Sequence, residues 1–518
     1  MTTAAPSAND QPSRVVLGLD VGTTATKVAA FGLDLAWRHA TSREYPLLEP
    51  APGQQTQDPA QIGAAVDDAL AECVAACRGA DIVGVSVSTA MHGLLGLDAA
   101  LAPVTPLVTW ADARAHAEAR ELRRSELAGE LHRSTGTPIH PMSPLLKLAW
   151  FSRHEPELAA SVRWWVGLKD YVLWLLTGEI ATELSSASAT GLLAIREGTW
   201  HLPALDLAGI RVDQLPTLLP TSSTLALSDE TSQRTGLPRG TPIVVGAADG
   251  PLGNLGTGAM APGILGLSLG TSGAVRALVD QPPTNLDESL FCYNLADEAW
   301  TVGGAVSNGG IVVRWAGASL APDIVKTAAA PDAALLELVA GVPPGSDGLV
   351  MLPYLLAERA PLWDPDLHGA YLGLRRDHTR AHMIRAAVEG VCLQLSKIVD
   401  QLDRLEPVTS VRVTGGAFQS TLWKEVLAAT LDRPLTIVGH AEGSALGAAA
   451  LGLVALGLAP SLVAATSQLA PPGTEGDQEV RPDPMMAETY AATRRSIPAL
   501  IDELSAVRRL FAHQERAW

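Results

Sequence analysis

Leu17–Val28 reads LGLDVGTTATKV, and 248 residues later Leu265–Arg276 reads LGLSLGTSGAVR, with five of the twelve aligned positions identical. Each copy is an apolar run of strand character, then Gly-Thr-Thr or Gly-Thr-Ser, then a run that returns toward apolar. That pattern predicts a β-hairpin with a glycine-opened, hydroxyl-bearing turn in each half of the chain. The repeat is best explained by an old duplication, and it makes the chain two α/β domains. Strands are expected at Ile82–Ser88, Ile243–Ala247 and Val411–Thr414, and helices at Ala60–Ala80, His382–Leu405 and Leu422–Leu431. Pro-, Ser-, Thr- and Gly-rich stretches at 214–225, 341–346 and 471–487 read as loops. The boundary is placed near residue 255. The division is 1–13 a loose tail, 14–255 the first domain, 256–460 the second, and 461–518 an extension with a closing amphipathic helix from Pro484.

The turns carry chemistry as well as topology. In the first, Gly22, Thr23 and Thr24 bring backbone N–H groups and hydroxyls together and Lys27 adds a positive charge, a set that can cradle polyphosphate oxygens. Asp20, one strand-end away, is a candidate for holding a hydrated magnesium ion. The second turn repeats the donors as Gly270, Thr271 and Ser272, but Ser268 stands where Asp20 stands, so the halves are expected to do different jobs. No GxxxxGK[ST] motif is present, so this is not the Walker solution.

Three further loops follow expected strands. Asp249, in Gly246-Ala247-Ala248-Asp249-Gly250, is placed to take a hydroxyl proton in phosphoryl transfer. On the residues alone a helix cap or turn is the better account of that aspartate. Gly415-Gly416-Ala417-Phe418-Gln419-Ser420 offers main chain to a flat ring or a phosphate beside a helix start, and Ser307–Gly310 is similar. Met91-His92 and Thr109–Arg114 set His, Trp110, Asp112 and Arg114 together as a polyol pocket, with Arg114 able to pair a carboxylate; an exposed Asp112–Arg114 pair is the competing account.

Composition narrows the classes. With 37 Lys and Arg against 55 Asp and Glu, the net charge of −18 argues against a nucleic-acid or anionic-membrane partner. Four cysteines without a CxxC pair make neither a disulfide scaffold nor a zinc site, and read as buried thiols of a cytoplasmic protein. Gly443–Ala459 is uncharged, but its hydrophobicity rests on Ala and Gly and it ends at Pro460, so it reads as a buried helix and not a membrane span. HExxH does not occur.

Taken in order, these loops resemble the FGGY carbohydrate kinases, over roughly residues 14–460. Met142–Phe151 (MSPLLKLAWF) fits that family's first signature, and Gly369–Gly390, ending AAVEG, fits its second. The resemblance implies two ribonuclease H-like domains of the actin, heat-shock and sugar-kinase superfold, with a central cleft that closes over sugar and ATP. It implies ATP and Mg2+ as cofactors and Asp249 as catalytic base, which reverses the preference for a cap. It puts Gly310, Arg314, Gly416 and Ser420 on the nucleotide and Met91-His92 on the sugar. Residues Ser88–Gly93, Thr109–Arg114 and Gly136–Pro144 look most like the family's gluconate kinases, with Ala113 a departure where a polar residue is expected. The implied reaction is ATP-dependent phosphorylation of D-gluconate at O6, the substrate carboxylate meeting Arg114, His92 or His140. Xylulose or another pentulose is the alternative substrate, and a nucleotide-dependent binding protein on the same superfold is the more remote one. A small sugar or sugar acid is thus the expected partner, and a homodimer is one option.

Overall fold

The computed structural model describes residues 12–439, 443–469 and 478–511, with side chains to 504. The expected tail over 1–11, the loop stretch 471–477 and the end of the extension, 512–518, lie outside the described residues. Chain contacts divide the molecule into two units. The first takes the described residues to 260 with 278–302 and 443–469; the second takes 261–277, 303–439 and 478 onward. By these contacts two segments beyond the expected boundary near 255, 278–302 and 443–469, group with the first unit.

In the first unit, β1 (Arg14–Val21) and β2 (Ala25–Gly32) form the expected antiparallel hairpin, extended by β3 (Arg38–Glu44). Helix α1 (Pro59–Ala76) is started by Asp58, whose carboxylate accepts from the Ala60 N–H, and stops at Cys77. Strand β4 (Asp81–Thr89) lies parallel to β1. The helices α2 (Pro144–His154) and α3 (Leu168–Thr177) follow. Strand β5 (Thr224–Ala226) runs antiparallel to β6 (Pro242–Ala248), which lies parallel to β4, so the sheet order is β5-β6-β4-β1-β2-β3. Part of the stretch read as loop, 214–225, is thus strand; Thr217–Leu219 also pairs, with Ala181–Glu183. Short Thr/Leu alternations between prolines are enough for edge pairing. After β6 the chain turns into α4 (Asp249–Gly256).

The uncharged helix Gly443–Ala455 belongs to this unit and packs Ala445, Leu446 and Ala449 with Val16 and Phe31 of the hairpin. A Cβ built on Gly18 would stand 2.1 Å from the Ala445 carbonyl oxygen, so strand and helix touch backbone to backbone. That approach explains the Ala/Gly composition better than a lipid environment does. No helix among the described residues is long and apolar enough to cross a membrane.

The second unit repeats the layout. Strands β7 (Ile264–Leu269) and β8 (Gly273–Val279) form the second hairpin, with Ser268 opposite Ala274 where Asp20 faces Lys27 in the first. Helices α5 (Gly310–Leu320) and α6 (Arg380–Leu405) precede β9 (Ser410–Thr414), which lies parallel to β7. After α7 (Thr421–Leu431), strand β10 (Leu435–Ile437) adds in parallel and β11 (Gln478–Val480) antiparallel. A hairpin flanked by a parallel strand in each unit is what the 12-residue repeat encodes. The second signature turns out to be architectural. Buried Glu389 on α6 accepts from Gly345 N, Ser346 Oγ, Arg385 Nε and the Tyr490 hydroxyl, anchoring α8 (Pro484–Phe511), the expected closing helix.

Candidate active site

The turn of the first hairpin spans Gly22 to Ala25, between the facing pair Val21 and Thr26. Its shape is held from several sides. Gly22 N–H donates to Ala25 O (2.9 Å), the Tyr45 hydroxyl to Gly22 O (2.7 Å), and Gln57 Nε2 to Thr23 O (2.5 Å). Trp110 Nε1 donates to Thr23 Oγ1 (2.9 Å), so a residue read as a sugar contact is tied to the turn read as phosphate-binding. Thr24 and Lys27 are exposed on the hairpin. Asp20 is half-buried at the end of β1 and accepts from Ser88 Oγ (2.7 Å). Burial raises its carboxyl above the ordinary range; the Ser88 bond and the charges of Lys27 and Lys169 oppose that rise. Among the described residues no three His, Cys, Asp or Glu converge as a metal cage, so Asp20 stands as a single carboxylate.

Asp249 is aimed by an irregularity in β6. The register against β4 slips between Val244 and Ala247, and Gly246 has φ +74°, where a Cβ would lie 2.0 Å from Val87 O. Only glycine fits that bulge. Asp249 is then the first residue of α4 while Ala248 occupies the cap position, so the capping account of this aspartate does not hold. Under the bulge lies Lys169, 1% exposed. Its ammonium donates to Val87 O, to Val245 O (2.8 Å) and to Ala247 O (3.0 Å), with Glu183 Oε1 at 3.8 Å. Burial brings it down to about 8, against the opposing pull of Glu183, Asp170, Asp20 and Asp249. Lys169 was missed in the sequence reading. Its one signal is a Lys-Asp pair inside the apolar run at 165–176, where charges are rarely buried without partners.

The loops read as sugar-binding meet at Lys147. Its ammonium donates to His92 O (2.8 Å) and Thr109 O (2.7 Å) from α2, where the first signature lies. His92 has φ +63°; its Nδ1 lies 2.8 Å from Ala189 O and its ring is edge-on to Tyr293. Met91 and His92 also line a small cavity of about 40 Å3 with Trp165, Lys169 and Asp170; Trp110, Arg114 and His140 do not line it. His140 is buried, with Nδ1 accepting from Met142 N–H (3.3 Å) at the start of that signature.

Arg114 requires a correction. Its Nε and Nη2 donate to the two carboxylate oxygens of Asp112 (2.8 and 2.9 Å), and its guanidinium stacks over Trp150 and Phe151. Asp112 also accepts from Gln55 N–H (2.8 Å) and Arg114 N–H (3.0 Å). With 7% and 0% of the two side chains exposed, the pair is neither the solvated one weighed above nor a guanidinium free to clamp a substrate carboxylate. It locks the Thr109–Arg114 loop.

In the second unit, a cavity of about 480 Å3 is lined by Gly270, Gly310, Arg314, Gly416 and Ser420, which the sequence placed on the nucleotide, with Val313, Leu336 and Trp423 as apolar walls. Thr271 and Ser272 are not among its lining residues. Gly310 N–H donates to Gly270 O (2.8 Å), joining the hairpin turn to the start of α5, and Arg314 lies 3.6 Å from Asp332 on the rim. A buried pair that the sequence reading did not pick out lies just before α5. Asn308 Nδ2 donates to Glu358 Oε2 (2.6 Å), and Asn308 Oδ1 accepts from Leu355 and Leu356 N–H. Burial pushes the Glu358 carboxyl up to about 7.

Comparison with known proteins agrees with this geometry. The profile of the FGGY family of carbohydrate kinases, N-terminal domain, matches residues 15–256, and that of its C-terminal domain matches 265–456. A gluconokinase of Bacillus subtilis is 38% identical, over 88% of this chain and 90% of the relative. A xylulose kinase of the same organism is 30% identical over 87% and 90%. The crystal structure of gluconate kinase from Lactobacillus acidophilus superposes with a TM-score of 0.86 at 31% identity, covering 96% of this chain and 98% of that one. With both of its domains matched in order, the chain belongs to the FGGY family of carbohydrate kinases.

Proposed function

We propose that this protein transfers the γ-phosphoryl group of ATP to the O6 hydroxyl of D-gluconate, giving 6-phospho-D-gluconate and ADP. The observation that carries the choice of acceptor is the greater identity to a gluconokinase, 38% against 30% for a xylulose kinase over nearly the same span. In this reading the gluconate O6 attacks the γ-phosphorus, the bond from that phosphorus to the β–γ bridging oxygen breaks, and Asp249 takes the O6 proton. The two hairpin turns hold phosphate oxygens, and Met91, His92 and Trp110 belong to the acceptor side. With Arg114 committed to Asp112, His92 and His140 are the remaining candidates for the substrate carboxylate. Asp20 suits Mg2+, which takes one or two carboxylates and otherwise phosphate oxygens and water; when bound it offsets the charge of the phosphates. Four buried, unpaired thiols support a cytoplasmic setting. Phosphorus and carbon NMR of the product tests the reading: a phosphomonoester on C6 of gluconate is expected, and a phosphorylated pentulose with gluconate inert overturns it.

The nucleotide assignment has its own test. A Cβ on Gly416 would meet nothing within 4 Å, so Gly416→Val adds an isopropyl group to the cavity rim without disturbing the fold. The KM for ATP is expected to rise about tenfold, equivalent to about 1.4 kcal/mol, with the KM for gluconate nearly unmoved. An unchanged ATP KM removes the adenosine side of the assignment.

A further inference from the structure

Lys147 is fully buried, yet among the described residues no carboxylate lies within ion-pair distance of its ammonium. Its charge is felt by Asp112 and Arg114, and burial brings it down to about 7. Such a group is costly inside a protein unless its donors are used. Both of its contacts are backbone carbonyls, one on each of two loops: His92 O at 2.8 Å and Thr109 O at 2.7 Å. The first residue has φ +63°, a conformation that a side-chain-bearing residue keeps only when something holds it. The residue after the second, Trp110, donates its indole N–H to Thr23 Oγ1 in the phosphate turn.

We infer that Lys147 is a positioning residue for the acceptor: from α2 it clamps the His92 loop to the Thr109–Trp110 loop, and through Trp110 it keeps both in register with the turn at Thr23. The inference rests on the proposed reading of these loops as the acceptor site. Lys147 touches no reacting atom. Neutral amine and ammonium both have the two protons this clamp needs, so the clamp persists across its titration.

The test is steady-state kinetics of Lys147→Met, which keeps the length and removes the donors, and of Lys147→Arg, which keeps donors and charge. For Lys147→Met the KM for D-gluconate is expected to rise at least about tenfold, with the KM for ATP within about threefold of native, and Lys147→Arg to recover part of the loss. Equal losses toward both substrates, a gluconate KM within threefold of native, or failure of both variants to fold would each overturn the inference and make Lys147 a core residue only. Failure of the underlying reading shows separately, as a native enzyme that does not turn over gluconate or a Trp110→Phe variant with unchanged acceptor KM.

Discussion

Asp249→Asn is expected to lower kcat for gluconate phosphorylation by about a thousandfold while the Kd for ATP stays near its native value. Asparagine has the same shape and can still occupy the first position of α4, after the cap position held by Ala248. The bulge at Gly246 and its fastening by Lys169 are untouched, so the side chain is aimed as before. What is lost is the proposed acceptor of the O6 proton. Rapid-quench measurement of the chemical step, with calorimetry for ATP, separates the two effects. A chemical step within tenfold of native would show that Asp249 is not the base.

Lys169→Met is expected to cost about 3–5 kcal/mol of folding stability, the usual penalty for removing one member of a buried charged network. Methionine fills the volume but leaves the carbonyls of Val87, Val245 and Ala247 without their donor and the Glu183 carboxyl without its nearby cation. The sign of the pH dependence follows from the folded lysine lying at about 8, below its ordinary range. Between about 8 and about 10.4 the unfolded chain holds the proton that the folded chain has released, so native stability gains a Lys169 component as pH rises. Urea titrations should therefore show the gap between native and Lys169→Met widening above pH 8. A gap under about 1 kcal/mol, or one that narrows there, contradicts the assigned role.

What could be read from the sequence was what short stretches encode. The two hairpins, the strands at 82–88, 243–247 and 411–414 and the glycine turns after them all depend on neighbours within a dozen residues. Gly270 was picked out by its turn chemistry and Gly310, Arg314, Gly416 and Ser420 by the family resemblance, and the fold gathers all five on one cavity. Illegible were the groups whose partners are distant backbone. Lys169 bonds carbonyls 76 to 82 residues away and Lys147 carbonyls 38 and 55 away, and no side-chain pattern marks a carbonyl. Asp112 and Arg114 were seen as neighbours, but their burial under Trp150 and Phe151 is a tertiary fact, and it changes the pair from ligand clamp to loop lock. The return of 443–469 to the first unit was equally hidden, because an apolar helix declares that it is buried but not against what.

Coupled ADP release with MgATP, run with D-gluconate, D-xylulose, L-ribulose, glycerol and no acceptor, tests the central claim most directly. Turnover with gluconate is expected at least about a hundredfold above every other arm, since a paired carboxylate discriminates strongly against uncharged sugars. Turnover led by a pentulose, with gluconate no faster than the blank, would contradict it.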